Sequence, residues 1–411
     1  MKRSLLLSVL GALVMNALLV PQAFPQVQND RPKLPVKTWT KPSPPELSME
    51  TLRDLSPTVS LPLWIYNTQS SRDGNFYGGL MVGEDATNPG SGATNVTTQV
   101  VPIVIITNRL GTSVDSHGMI STKPGVRRFS PTSADKVCMT APNDVPLTVF
   151  KQSPIFNSAR FNFGGTDVGV TQYVDAFQRA NFWQTIDRQN YHVLLHPVET
   201  LAPIVINVPA ASGLALEASV FGSCGPLGIV DIFLFDSIIS NQVLPALYSR
   251  GVRANTLPIF LLYNLVLSIG DPTQLNNCCV LGYHGANNYG PKGIQTYSPA
   301  DFDTTGLFGR GALDTAVLAH EVGEWMNDPY GFNATPPWGH TGQVGACQNN
   351  LEVGDPLTGT LAPSIFMPNG YTYHLQELAF VSWFFGAPSV GLHGWFSNDA
   401  SFLTDAGPVC H

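Results

Sequence analysis

The chain has 411 residues, enough for one large domain or two ordinary ones. Hydrophobic residues make up 44% and charged residues only 12%, which excludes a disordered chain. A net charge of −8, with no basic stripe, argues against a nucleic-acid partner.

The N-terminus reads as an export signal. Lys2 and Arg3 precede an apolar run from Leu5 to Val20, and small and turn-forming residues follow at Pro21-Gln22-Ala23. Basic, apolar and small-residue zones in that order mark a cleavable secretory signal over residues 1–23. The run is interrupted by Gly11 and Asn16 and is short for a membrane span. The expected location is therefore secreted or periplasmic, with no stable span once the signal is removed. Residues 24–60 read as an extended linker. They carry Pro32, Pro35, Pro42, Pro44 and Pro45 and almost no apolar periodicity.

Globular sequence is expected over 61–411. Gly79 to Gly92 is rich in Gly, Asn and Asp and reads as a loop. Val100 to Ile106 is a β-branched run and reads as a buried strand. Gln172 to Trp183 places Tyr173, Val174, Phe177 and Ala180 at helical spacing, as in an aromatic core helix. Leu201 to Val208 and Ile229 to Phe235 are β-type runs. Leu257 to Ile269 fits either a strand pair or a buried helix. Many glycines and prolines imply many turns and short elements. The expected class is α+β, with many loops and a possible internal seam near 210–225.

Six cysteines, Cys138, Cys224, Cys278, Cys279, Cys347 and Cys410, suit three disulfides in an exported chain. The adjacent Cys278 and Cys279 are expected to pair elsewhere rather than with each other. No C-x-x-C motif supports a cysteine metal site.

The clearest helix is expected from Ala312 to Asn327, stopping near Asp328 because Pro329 disfavours α geometry before it. On it, Leu318, Val322, Trp325 and Met326 share one side. His320, Glu324 and Asp328 share the other, with Glu321 beside them. Ligands at i and i+4 can converge on one metal ion, as in H-E-x-x-H, and the residue after the first ligand can hold a water as general base. In that scheme His320 and Glu324 are ligands and Glu321 is the base; a solvated face is the alternative. Asp328 is a secondary ligand candidate, but it lies a rise of roughly 12 Å from His320 along the helix. Glu352, in Leu351-Glu352-Val353-Gly354-Asp355, is the expected third ligand, with Asp355 as a secondary one. One zinc ion per chain is expected, although a His–carboxylate set also suits other divalent metals.

The stretch Ala319-His320-Glu321-Val322-Gly323-Glu324-Trp325-Met326-Asn327-Asp328-Pro329, followed by Glu352-Val353-Gly354-Asp355, resembles a group of bacterial exported zincin-like proteins. Their pattern is H-E-x-x-E-x-x-x-D-P, then E-x-x-D. The layout is more distantly similar to the plant phosphate-induced Exordium-type proteins. Thr171 to Phe177, Gly282-Tyr283-His284 and Trp395 to Asn398 match as well. The resemblance implies a zincin-like metal-site helix packed on a mixed β-sheet. The expected function is an exported metal-dependent hydrolase, most simply a zinc peptidase acting on a peptide or protein substrate with Glu321 as general base; the alternative is a non-catalytic exported binding or cell-surface protein that keeps the site as a relic or structural centre. For His284, His340 and His374 a hydrogen-bonded structural role is favoured over a ligand role. Met367 sits in a turn only weakly like a metzincin Met turn.

Overall fold

The computed structural model describes residues 32–45, 61–139, 144–339, 347–386 and 388–405. The expected signal, residues 1–23, lies outside them. Among the described residues, no helix is long and apolar enough to cross a membrane.

Helices and strands are both present, and the architecture is α+β around one mixed sheet of eleven strands. In chain order these are β1 (Ala93–Val114), β2 (Ile120–Phe129), β3 (His192–Thr200), β4 (Ile204–Asn207), β5 (Gly213–Leu216), β6 (Leu227–Asp231), β7 (Leu257–Tyr263), β8 (Leu265–Ser268), β9 (Cys278–Val280), β10 (Gly285–Asn288) and β11 (Ile294–Phe302). Their main path runs β9-β8-β6-β5-β1-β7-β11-β10. Strands β2, β3 and β4 also pair with the long β1, which contains the run Val100 to Ile106. Pairs β1–β7 and β7–β11 are parallel, whereas β8–β9 and β10–β11 are antiparallel.

Side chains alternate along β7 because successive residues of a strand point to opposite faces. Leu257, Ile259 and Leu261 join one apolar core, while Phe260 and Leu262 join another on the far face. The first core holds helices α1 (Tyr173–Asn181) and α3 (Ala316–Asn327), through Phe177, Leu318, Val322 and Trp325. The second holds α2 (Ile232–Ile238), through Ile232 and Phe235. The sheet is thus covered on both faces, which is why β7 and β8 read as one continuous apolar run.

That run is two strands seated apart in the sheet, β7 between β1 and β11 and β8 between β6 and β9. Asn264 breaks the run with φ 50°, a left-handed conformation that Asn tolerates. Three other expectations need correction. Gly79 lies in a strand (Phe76–Val82), not a loop, and its lack of a side chain admits Asn333, whose Oδ1 would sit 2.5 Å from an added Cβ. The run Ile229 to Phe235 is strand only to Asp231. There the Asp231 carboxylate accepts the N–H of Phe233 and starts α2, as an N-cap does. Cys278 and Cys279 are disulfide-bonded to each other, across a cis peptide bond that brings their Cα atoms to 3.1 Å. Cys138 and Cys224 form a second disulfide, Cys347 is also disulfide-bonded, and no described cysteine is free. Cys410 lies outside the described residues.

The proline-rich stretch, where described, lies against the body. Leu34 and Thr38 are buried, and Lys33 N and Leu34 N donate to the Leu307 carbonyl.

Candidate metal centre

Helix α3 begins at Ala316, later than expected. Residues Arg310–Ala312 form a separate 3-10 turn, and Asp314 takes φ 41° between the two. The helix ends at Asn327. Asp328 leaves helical geometry (φ −145°, ψ 71°) ahead of Pro329.

Every residue of α3 is buried, so its polar stripe is not a solvated face. The apolar side packs into the core beneath the sheet, and the Trp325 indole donates to Thr296 Oγ1 on β11 at 3.0 Å. The stripe bearing His320, Glu321 and Glu324 meets two other parts of the chain. One is the approach to β10, which carries His284. The other is the loop after Gln348–Asn350, which carries Glu352 and Asp355. None of these six residues is more than 8% exposed.

Two groups of donors form, each within 4.8 Å: His320, Glu324 and Asp355, and His284, Glu324 and Glu352. Glu324 belongs to both. His320 Nε2 lies 3.0 Å from Glu324 Oε1 and 3.4 Å from Asp355 Oδ1. His284 Nδ1 lies 3.5 Å from Glu324 Oε2, 3.9 Å from Glu352 Oε2 and 3.9 Å from Glu321 Oε2. The expected ligand set is therefore divided. His320 meets Asp355, while Glu352 turns to His284, a residue that the sequence favoured as structural rather than as a ligand.

The outer nitrogen of each ring is already committed. Gln376 Nε2 donates to the Gly354 carbonyl at 2.6 Å, so Gln376 Oε1 is left to accept from His320 Nδ1 at 3.1 Å. His284 Nε2 faces the Asp328 carbonyl at 3.0 Å and must donate to it. In a neutral imidazole the other nitrogen then carries a lone pair. Both inward lone pairs face carboxylate oxygens, which also only accept. A proton or a cation has to stand between them. Tying down the outer nitrogen in this way is how proteins orient metal-binding histidines.

The carboxylates are held with equal care. Glu324 Oε1 accepts the N–H groups of Gly354 and Asp355, each at 3.2 Å. Asn350 Nδ2 donates to Glu352 Oε1 at 2.5 Å, and Gln348 Nε2 to Asp355 Oδ2 at 3.0 Å. Glu321 Oε2 and Glu352 Oε2 are buried with no hydrogen-bond partner among the described residues. Gly354 is glycine because a Cβ there would lie 2.6 Å from the His320 ring; Gly282 would similarly meet Glu321 Oε1 at 2.7 Å.

Charge is concentrated enough to shift the titration of His284, His320, Glu321, Glu324 and Glu352. Burial raises the Glu321 carboxyl to about 7 against the pull of both histidines. Burial, then the neighbouring Glu324 charge, pushes Glu352 well above the carboxylate range. Burial works against Glu324 ionisation too, but His320 and His284 outweigh it and hold this carboxyl at about 2. Burial would likewise lower both imidazoles, yet Glu324 beside His320 and Glu352 beside His284 leave them well above their ordinary value.

No family model, no curated protein and no solved structure matches the chain.

The remaining candidates fall outside the cluster. The Asp328 carboxylate accepts the N–H groups of Phe332 (3.0 Å) and Asn333 (2.8 Å), fixing the turn that follows α3. His374 Nδ1 pairs with Asp314 at 2.7 Å. Met367 is buried beside the hairpin that carries His374. His340 lies outside the described residues. Sequence reasoning had no view of Gln376 or Gly354, whose roles depend on contacts across 56 and 34 positions of chain.

Proposed function

We propose that the chain is an exported metal-dependent hydrolase of zincin-like type, most simply a zinc peptidase. One observation carries this reading. Two imidazoles and four carboxyls meet in the interior with two carboxylate oxygens unpartnered. Burying such a group without a counter-charge is costly, and breaking up its negative charge with a cation removes that cost.

His320 Nε2, Glu324 and Asp355 would hold the ion. Nitrogen and carboxylate oxygen donors suit zinc. A charge count supports one ion. Glu321, Glu324, Glu352 and Asp355 carry four negative charges when ionised. A divalent ion, an imidazolium at His284 and one proton on Glu352 balance them. When bound, such an ion polarises a carbonyl and acidifies water near neutrality.

The residues supply the rest. Glu321 follows the first ligand and presents an unpartnered oxygen to the cleft. Its carboxylate stands where a general base for a bound water is needed. His284, charged and turned toward Glu321 and Glu324, stabilises negative charge that develops beside them. Gln376 and Gly354 keep the His320 ring in place. The Cys138–Cys224 disulfide suits an oxidising compartment outside the cytosol.

The test is Glu321→Gln in zinc-loaded protein. Zinc is retained and hydrolysis of a broad peptide library is lost. Unchanged hydrolysis removes Glu321 from the mechanism. Zinc binding with no turnover in the wild-type chain, freed of anything covering the cleft, favours a binding or structural role.

A further inference from the structure

The proline-rich segment ahead of the globular body runs over the candidate metal centre. Val36, Thr38 and Trp39 line the same cleft as His320, Glu321 and Glu324.

The segment is seated by specific contacts along its length. Lys33 N and Leu34 N donate to the Leu307 carbonyl at 2.8 and 3.0 Å. Lys37 N donates to the Cys279 carbonyl at 2.8 Å, and Lys37 pairs in parallel with Val280. Because β9 is the last strand on the main path of the sheet, this pairing adds a rung at a sheet edge. Trp39 packs edge-on against Tyr283, with ring centroids 5.0 Å apart. The Lys41 ammonium meets Asp236 Oδ2 at 2.5 Å, and its stem fills the space left by Gly285. Ser43 Oγ reaches the Tyr330 and Gly331 carbonyls at 2.9 and 2.8 Å. Pro35 and Pro42 bracket the middle. Each lacks an N–H and holds its preceding residue extended, so the ladder cannot spread.

Thr38 stands out among these residues. It is 8% exposed, yet its hydroxyl has no hydrogen-bond partner among the described residues. It shares the cleft with Glu321 and Glu352, whose Oε2 atoms also lack partners. The segment thus places an unsatisfied polar group over an unsatisfied polar site.

We infer that the cleft is a groove for an extended polypeptide and that residues 33–43 are its resident occupant, a strap that holds it shut until it leaves. Main-chain pairing at a sheet edge, with side-chain pockets on alternate residues, is a general mode of peptide recognition. An incoming chain would take the Lys37 rung on β9 and the Trp39 pocket at Tyr283. The strap and groove stand on these contacts; only the expectation that opening exposes a hydrolase rests on the proposed function. While tethered, the strap competes at an effective concentration that a free peptide lacks. Cutting the chain downstream of residue 45 removes that advantage.

The experiment uses the full chain with a specific-protease site inserted between residues 46 and 60, compared uncut, cut, and uncut with Trp39→Ala/Lys41→Ala. The probe is a fluorescent peptide of residues 32–45. Its binding is measured without metal, and hydrolysis of a peptide library is measured with zinc. The uncut chain excludes the probe. The cut chain and the double variant bind it one to one, and a probe carrying Trp39→Ala binds about tenfold more weakly. Equal binding in all three forms, or none in any, overturns the strap. Binding that appears on opening without hydrolysis upholds the strap and removes the hydrolase reading. Hydrolysis as fast in the uncut chain as in the cut chain upholds the hydrolase and overturns the strap.

Discussion

Glu324→Gln strikes the point where both donor groups meet, because each oxygen of Glu324 faces a different imidazole. The amide keeps the shape, and its oxygen can still accept from Gly354 N and Asp355 N, so the loop stays docked. What it loses is the anionic ligand. A ligand that binds only the folded state stabilises it by about 2.7 kcal/mol at a hundredfold excess over its Kd. Loss of an outer partner of a metal site weakens affinity roughly 10- to 100-fold, and loss of a direct ligand does at least as much. At the same zinc concentration the variant should then gain only about 0.4–1.4 kcal/mol. With on the order of 2 °C per kcal/mol for a domain of this size, the wild-type chain rises by about 5 °C and the variant by about 1–3 °C. Thermal melts with chelator and then with added zinc, each protein referred to its own metal-free midpoint, cancel any effect of the substitution on the metal-free fold. An equal zinc-dependent rise in both proteins refutes the reasoning.

Glu321→Gln should keep the zinc-dependent rise and lower kcat by roughly 10²- to 10⁴-fold, the usual contribution of a general base; unaltered kcat contradicts the assignment. Gly354→Ala places a Cβ 2.6 Å from the His320 ring, and the required shift costs about 1–3 kcal/mol in urea unfolding while weakening zinc binding. Wild-type affinity in that variant shows that the His320 ring is not held as described. Burial raises the Asp328 carboxyl from 3.8 to about 7, so the folded state holds its proton more tightly than the unfolded state. The stability this proton confers is full below pH 4 and is lost as pH rises through about 7, on the order of 4 kcal/mol. With chelator present, Asp328→Asn should lack that slope between pH 4 and 7; parallel pH profiles for the two proteins contradict it.

Local patterns carried much of the fold. The β-branched run Val100 to Ile106 lies within β1, and the aromatic spacing over Gln172 to Trp183 matches α1 because a buried helix face must repeat at that period. Readings failed where one side chain overrode the pattern. Asp231 caps a helix inside an apolar run, and Gly79 sits in a strand because Asn333 needs the space. At the site, spacing along α3 placed His320, Glu321 and Glu324 together. The sequence favoured Glu352 as third ligand, yet Asp355 on the same loop is the one beside His320, because their partners are set by contacts across the fold. His284, favoured as a structural histidine, joins the cluster for the same reason. Its flanking glycines, Gly282 and Gly285, were a usable signal: one admits Glu321 and the other admits Lys41.

The central claim is that a divalent ion sits among His320, Glu324 and Asp355. Zinc-loaded crystals of protein purified without chelator, measured at the zinc absorption edge, test it directly. One anomalous peak is expected, about 2.0–2.2 Å from His320 Nε2 and from an oxygen of each carboxylate. No peak there under saturating zinc contradicts the metal centre itself. A second peak of equal height between His284 and Glu352 contradicts the one-ion charge balance.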